Sequence, residues 1–221
     1  MNSVYRAFIF DMNGTMINDM QFHVRAWYHL LNDEMGAGLS SEEVERQMYG
    51  KNSEVIERIF GKGRFSVEEA DRLSFEKEKN YQQAYLPHLK LIAGLDDFLA
   101  HAHRQHIPMA IGSAAIPFNI DFVLDNLHLR HYFSAIVSAD DVAISKPHPE
   151  TYLKAAALLN VPPQECLVFE DAPKGVEAAL NAGMQAVALT TMHNKEDFSA
   201  YDNVRLFIRD YTDPGVVSLL R

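Results

Sequence analysis

The sequence is short of several things, and each shortage removes a class of protein. It has one cysteine, Cys166, so no internal disulfide can form and a disulfide-stapled scaffold is ruled out. Cys166 lies in an apolar run and reads as core filler. No apolar stretch reaches the roughly 18 residues of a membrane helix, and Met1 to Ala7 carry Arg6 without the long apolar run of a leader. There is no G-x-G-x-x-G fingerprint, no Walker loop and no G-x-S-x-G elbow. Basic residues are outnumbered, 20 Lys and Arg against 30 Asp and Glu, for a formal net charge of −10. Such a field repels phosphate backbones and anionic membranes, so a phosphate site has to be basic locally. The expectation is a soluble cytoplasmic monomer with neither nucleic acid nor membrane as partner.

What is present is an ordinary globular composition, 48% hydrophobic and 23% charged over 221 residues. That length holds one domain, or one with a smaller insertion. Tyr5 to Phe10 is a short bulky apolar run and reads as a buried strand. The next seventy or so residues carry helical spacing instead. Asn18 is a plausible N-cap for a helix whose apolar positions, Phe22, Ala26, Trp27, Leu30 and Leu31, continue to Gly36. Ser40 with Glu43, and Ser66 with Glu69, have capping-box spacing; they predict helices from Val44 to Met48 and from Val67 to about Tyr85, with Glu54 to Phe60 between. Leu86-Pro87 ends the block.

From Gly94 the pattern alternates. Helices are predicted over Leu95 to Gln105, Pro117 to Asn126, Glu150 to Leu159 and Gly175 to Ala182. Strands are predicted over Met109 to Gly112, Ala135 to Val137, Leu167 to Phe169, Ala186 to Leu189 and Val204 to Ile208. Such alternation implies an α/β fold, a Rossmann-like parallel sheet covered on both faces. The expected domains are a core of residues 1–16 and 90–221 and an inserted α-helical cap of residues 17–89.

Polar residues follow the apolar runs at four places: Asp11, Ser113, Lys146 and the pair Glu170-Asp171. Parallel strands share a carboxyl edge, so these groups gather in one crevice if the strands are neighbours. Asp11, Glu170 and Asp171 form an oxygen-rich set suited to Mg²⁺. Lys146 and the Ser113 hydroxyl suit phosphoryl oxygens, which leaves Asp11 to attack as a carboxylate nucleophile. Gly14 lets the chain turn after Asp11, leaving backbone N–H groups and the Thr15 hydroxyl to face an anion. Each residue also has a plainer reading: a turn aspartate, a solvated lysine, a helix-capping serine. The coincidence of all four places favours chemistry. His101, His103, His106, His128 and His131 are better read as wet surface than as metal ligands.

With these residues in view, the chain resembles the haloacid dehalogenase superfamily, within it the β-phosphoglucomutase-like group with a helical cap. Asp11-Met12-Asn13-Gly14-Thr15, Gly112-Ser113, Lys146-Pro147-His148-Pro149 and Glu170-Asp171 occur in the family's order. The resemblance implies a nucleophile (Asp11), phosphate-holding hydroxyls (Thr15, and Ser113 with Ala114 after it) and a phosphate-binding lysine (Lys146). It also implies Mg²⁺ held by Asp11, Glu170, Asp171 and the main chain of Asn13. The implied partner is a small phosphorylated metabolite, hydrolysed by most members and isomerised by some. In the cap, His23 and Lys77 resemble substrate-contacting residues of the mutases. The arginine that mutases carry three positions beyond Gly50 is Ser53 here, with Lys51 as its candidate replacement, and without an arginine fork a phosphatase is favoured over a mutase.

Asn13 is the departure. The family's second aspartate there moves protons to the leaving oxygen and from water, and asparagine has no titrating proton. The expectation is a Mg²⁺-dependent phosphatase slowed by that change. The alternatives are a β-phosphoglucomutase and a catalytically weak protein that binds a phosphometabolite.

Overall fold

The computed structural model describes residues 5–220; Met1 to Val4, part of the stretch searched for a leader, lie outside them. The chain divides into two compact units, one formed by residues up to Asn18 and from Lys90 onward, the other by Asp19–Leu89.

The first unit is a Rossmann-like α/β fold. Its strands are β1 (Ala7–Phe10), β2 (Met109–Gly112), β3 (Ala135–Val137), β4 (Cys166–Glu170), β5 (Gln185–Leu189) and β6 (Val204–Ile208). They make one six-stranded parallel sheet in the order β3-β2-β1-β4-β5-β6. β1 is fully buried and therefore apolar throughout, AFIF, rather than alternating. Its side chains still divide by face. Helices α5 (Leu95–Arg104), α6 (Pro117–Asn126), α7 (Glu150–Leu159) and α8 (Pro173–Asn181) belong to the same unit, and Ala7 and Ile9 join a cluster rich in small residues with Ala155 of α7 and Ala178 of α8. Phe8 and Phe10 enter an aromatic layer in which Phe10 stacks on Phe169 at 4.6 Å and Phe98 meets Phe169 at 5.3 Å. Burying four such rings contributes about 1.5–3 kcal/mol each, two of them from β1.

The second unit is helical: α1 (Met20–Tyr28), α2 (Ser41–Gln47), α3 (Asn52–Phe60) and α4 (Val67–Tyr85). Trp27, Leu31, Val44, Val55, Ile56 and Leu73 form much of its core. Both capping boxes form, with Glu43 N donating to Ser40 Oγ and Ser40 N to Glu43 Oε2, and the same exchange between Ser66 and Glu69. Two expectations change. Asp19, not Asn18, precedes α1, and its side chain does not cap the helix because it is taken by Tyr81 and His23. The predicted run to Gly36 is α-helical only to Tyr28 and continues as a π-helix, His29–Glu34. Among the described residues no helix is long and apolar enough to cross a membrane.

Candidate active site

The ends of β1 and β2 are held by ladder bonds running one residue past the strand. Asp11 N donates to Phe169 O, and Ser113 N to Val137 O, both at 2.9 Å. Asp11, Ser113 and Asp171 thus leave the same edge of the sheet as Glu170, the last residue of β4. Lys146, in the loop before α7, reaches back to them. Its Nζ donates to Asp11 Oδ1 at 2.8 Å and to Glu170 Oε1 at 2.9 Å, and only 9% of its side chain is exposed. Burial alone would lower the ammonium's pKa, but the Asp11 and Glu170 carboxylates override it and hold the pKa above the ordinary lysine value. Lys146 is a fixed positive charge.

Glu170 is restrained on both oxygens. Oε1 accepts from Lys146 and, at 3.0 Å, from the Tyr152 hydroxyl; Oε2 accepts from Ala172 N at 2.7 Å. Asp171 accepts from Thr15 Oγ1 at 3.2 Å. Burial, with the Glu170 and Asp11 carboxylates nearby, pushes Asp171 well above the usual carboxylate range. Gly14 packs directly on it: a Cβ there would lie 2.0 Å from Asp171 Oδ2.

The turn after Asp11 differs from the sequence expectation. Gly14 N donates to Ile17 O, and the N–H groups of Thr15 and Met16 donate to Met12 O. The Thr15 hydroxyl is spent on Asp171, and Thr15 is fully buried. These groups therefore fix the turn and orient a carboxylate instead of facing an anion, because a buried donor that finds an internal acceptor is not available to a ligand. The turn is further held from outside by Thr191 Oγ1 donating to Gly14 O at 2.7 Å and Tyr211 Oη donating to Thr15 O at 3.2 Å. Sequence reasoning missed Thr191, Tyr211 and Tyr152. No short-range pattern marks them, since each acts on a distant segment.

The other candidates fall as follows. Ser113 is buried and its Oγ accepts from Ala115 N at 3.1 Å; Ala114 is exposed and Asn13 half-buried. In the helical unit, Lys77 Nζ lies 2.9 Å from both His23 Nδ1 and Glu78 Oε1. With Lys77 as donor, Nδ1 accepts, and His23 Nε2–H is directed at Asp19 Oδ2, 3.3 Å away. Lys51 N donates to Glu54 Oε2, which occupies the space a side chain on Gly50 would need.

The donor set fits a hard divalent cation. Among the described residues no three His, Cys, Asp or Glu side chains are placed to hold an ion by themselves; Mg²⁺ takes only one or two carboxylates and completes its octahedron with water and substrate oxygen. Three buried carboxylates gathered around one ammonium leave negative charge for such an ion to balance.

A parallel α/β sheet with acids and a buried lysine at its carboxyl edge suits phosphoryl transfer. Comparison with known proteins narrows it. A family model described as haloacid dehalogenase-like hydrolase matches residues 5–183. Fructose-1-phosphate phosphatase YqaB of Escherichia coli is 34% identical over 187 residues, 83% of this chain and 95% of that protein. β-Phosphoglucomutase of Bacillus subtilis is 30% identical over 190 residues, 83% of each chain. The crystal structure of a β-phosphoglucomutase from Clostridium difficile superposes with a TM-score of 0.83 at 26% identity, covering 98% of this chain and 97% of that one. The chain belongs to the haloacid dehalogenase-like hydrolases and is an enzyme of the phosphohydrolase type.

Proposed function

We propose that this enzyme is a Mg²⁺-dependent phosphatase acting on a small phosphorylated metabolite, a sugar phosphate, with Asp11 as nucleophile. The observation that carries the reading is Lys146 Nζ, 2.8 Å from Asp11 Oδ1 and 2.9 Å from Glu170 Oε1. An ammonium fixed beside a carboxylate nucleophile is preorganised to hold the oxygens of the phosphoryl group that the carboxylate attacks. The names of two relatives, a fructose-1-phosphate phosphatase and a β-phosphoglucomutase, support a sugar phosphate as substrate.

An Asp11 carboxylate oxygen attacks phosphorus, the bond from phosphorus to the substrate oxygen breaks, and that oxygen leaves with the bonding pair and takes a proton from solvent. Water then attacks the aspartyl-phosphate and gives a proton to solvent, releasing phosphate and restoring the carboxylate. Lys146 and the Ser113 hydroxyl hold phosphoryl oxygens throughout. Asp11, Glu170, Asp171 and the main-chain carbonyl of Asn13 are the groups that would hold Mg²⁺, with Thr15 orienting Asp171. When bound, the ion would neutralise charge on the transferring group. Asn13 can neither protonate the leaving oxygen nor accept the proton of water, so both steps lack acid–base help and turnover is slow. The roles of His23, Gly50, Lys51, Lys77 and Ala114 toward substrate belong to the same proposal.

A phosphate-release screen over sugar phosphates, with and without Mg²⁺, tests the reading; release that ignores Mg²⁺, or none from any member, overturns it. Asn13→Asp is expected to raise the rate by about 10²- to 10⁴-fold, and no gain would remove Asn13 as the cause of slow turnover. Similarity to β-phosphoglucomutase keeps a second reading. Incubation with glucose 1-phosphate and a bisphosphate activator separates the two, isomerised product marking a mutase and free phosphate a phosphatase.

A further inference from the structure

Tyr152 has no part in the steps above, yet it touches three segments that the site depends on. It is completely buried on α7. Its hydroxyl donates to Glu170 Oε1 at 3.0 Å. The face of its ring lies 4.6 Å from Lys146 Nζ. Its edge fills the space over Gly112, where a Cβ would come within 3.1 Å of Tyr152 Cδ1. We infer that Tyr152 is a positioning residue: its hydroxyl and ring together divide Lys146 between Asp11 and Glu170 and fix Glu170 for the metal.

The physical case starts from Glu170 Oε1, which accepts two hydrogen bonds, from Lys146 and from Tyr152. A carboxylate oxygen satisfied by a second donor pulls less strongly on the first. Without the hydroxyl, the charge on Oε1 is left to Lys146, and the ammonium is drawn toward Glu170 and away from Asp11. The ring works in the same sense, since an ammonium over an aromatic face is attracted at a fixed distance and is held where both carboxylates remain in reach. Phenylalanine at 152 would keep the ring and the packing over Gly112 and lose only the proton donor. Partners of this kind, one bond removed from a metal, typically change metal affinity or activity by about 10- to 100-fold when lost.

The inference rests on the proposed function, and the test separates the two. Mg²⁺ alone is titrated calorimetrically into wild-type protein and Tyr152→Phe, and hydrolysis of p-nitrophenyl phosphate is followed against Mg²⁺ concentration. Tyr152→Phe is expected to raise the Mg²⁺ dissociation constant about tenfold. Its kcat at saturating Mg²⁺ should recover to within about threefold of wild type, and its metal-free thermal midpoint should stay close to wild type. Rescue by excess ion is the signature, because a general packing defect would not respond to Mg²⁺. If wild-type protein binds no Mg²⁺, the proposed function fails and this inference with it. If wild type binds Mg²⁺ and Tyr152→Phe binds it within twofold as tightly, the hydroxyl is only a satisfied buried group and this inference alone is overturned.

Discussion

Replacing Gly175 by alanine should destabilise the core unit, although α8 is a helix and alanine is the better helix former. Propensity alone favours the change by up to about 1 kcal/mol. Space decides otherwise. A Cβ at 175 would stand 1.6 Å from Glu170 Oε1 and 1.9 Å from its Cδ, against the 3.0 Å below which real contacts essentially never fall. The carboxylate must therefore retreat by about 1.4 Å or more. Its bonds to Ala172 N, Lys146 Nζ and Tyr152 Oη, at 2.7, 2.9 and 3.0 Å, cannot all survive such a shift. Hydrogen bonds to a charged group contribute about 1.5–3 kcal/mol each. Allowing for partial re-formation and the helix gain, the net loss is about 2–5 kcal/mol. Urea unfolding followed by far-UV circular dichroism, with hydrogen exchange of the β4 amides, measures it. Tryptophan fluorescence is unsuitable, because the one tryptophan, Trp27, lies in the helical unit. A Gly175→Ala midpoint equal to or above wild type refutes the reasoning. In a Glu170→Ala background the same substitution should turn neutral or stabilising, since the colliding group is gone.

Three further outcomes are expected. Burial, with Glu165 adding to it, raises the Cys166 thiol to about 11. Iodoacetamide at pH 8 should therefore label it slowly in the folded protein and rapidly in urea. The folded state keeps this proton longer than the unfolded chain does, so the associated stability is intact below the unfolded pKa and is lost as pH rises toward about 11. Cys166→Ala should flatten that alkaline loss; an unchanged slope refutes the assignment. In the helical unit, Glu78→Gln removes the carboxylate 2.9 Å from the buried Lys77 ammonium. Breaking such a pair should cost about 3 kcal/mol, read by Trp27 fluorescence; a loss under about 1 kcal/mol would mean that His23 alone satisfies the lysine.

The core unit was legible where polar residues, glycine or proline bound a short apolar run. Met109–Gly112, Pro117–Asn126, Ala135–Val137, Glu150–Leu159 and Val204–Ile208 have the bounds their composition suggests. So does Val67–Tyr85, started by a capping box. That Asp11, Ser113 and Glu170-Asp171 leave strand ends was readable for the same reason. What could not be read depends on residues far apart in sequence. Asp19 precedes α1 where Asn18 was expected to cap it, and its side chain is taken by Tyr81, 62 positions away. Thr15 turns inward because Asp171 lies 156 positions along the chain and is buried beside it. Tyr152 looks like one more apolar position on an alanine-rich helix until its hydroxyl is seen to meet Glu170.

The position of β1 bears on how the protein is made. The strand that carries Asp11 leaves the ribosome before its neighbours, yet Phe8 pairs with Met109 on one side and Leu167 on the other. Parallel pairing across such separations is slow, because long loops must close before any contact forms. Until then a nascent AFIF ribbon has two bare edges, which is a hazard for clumping. The reactive centre is thus completed only after β2 and β4 have been made, late in biosynthesis.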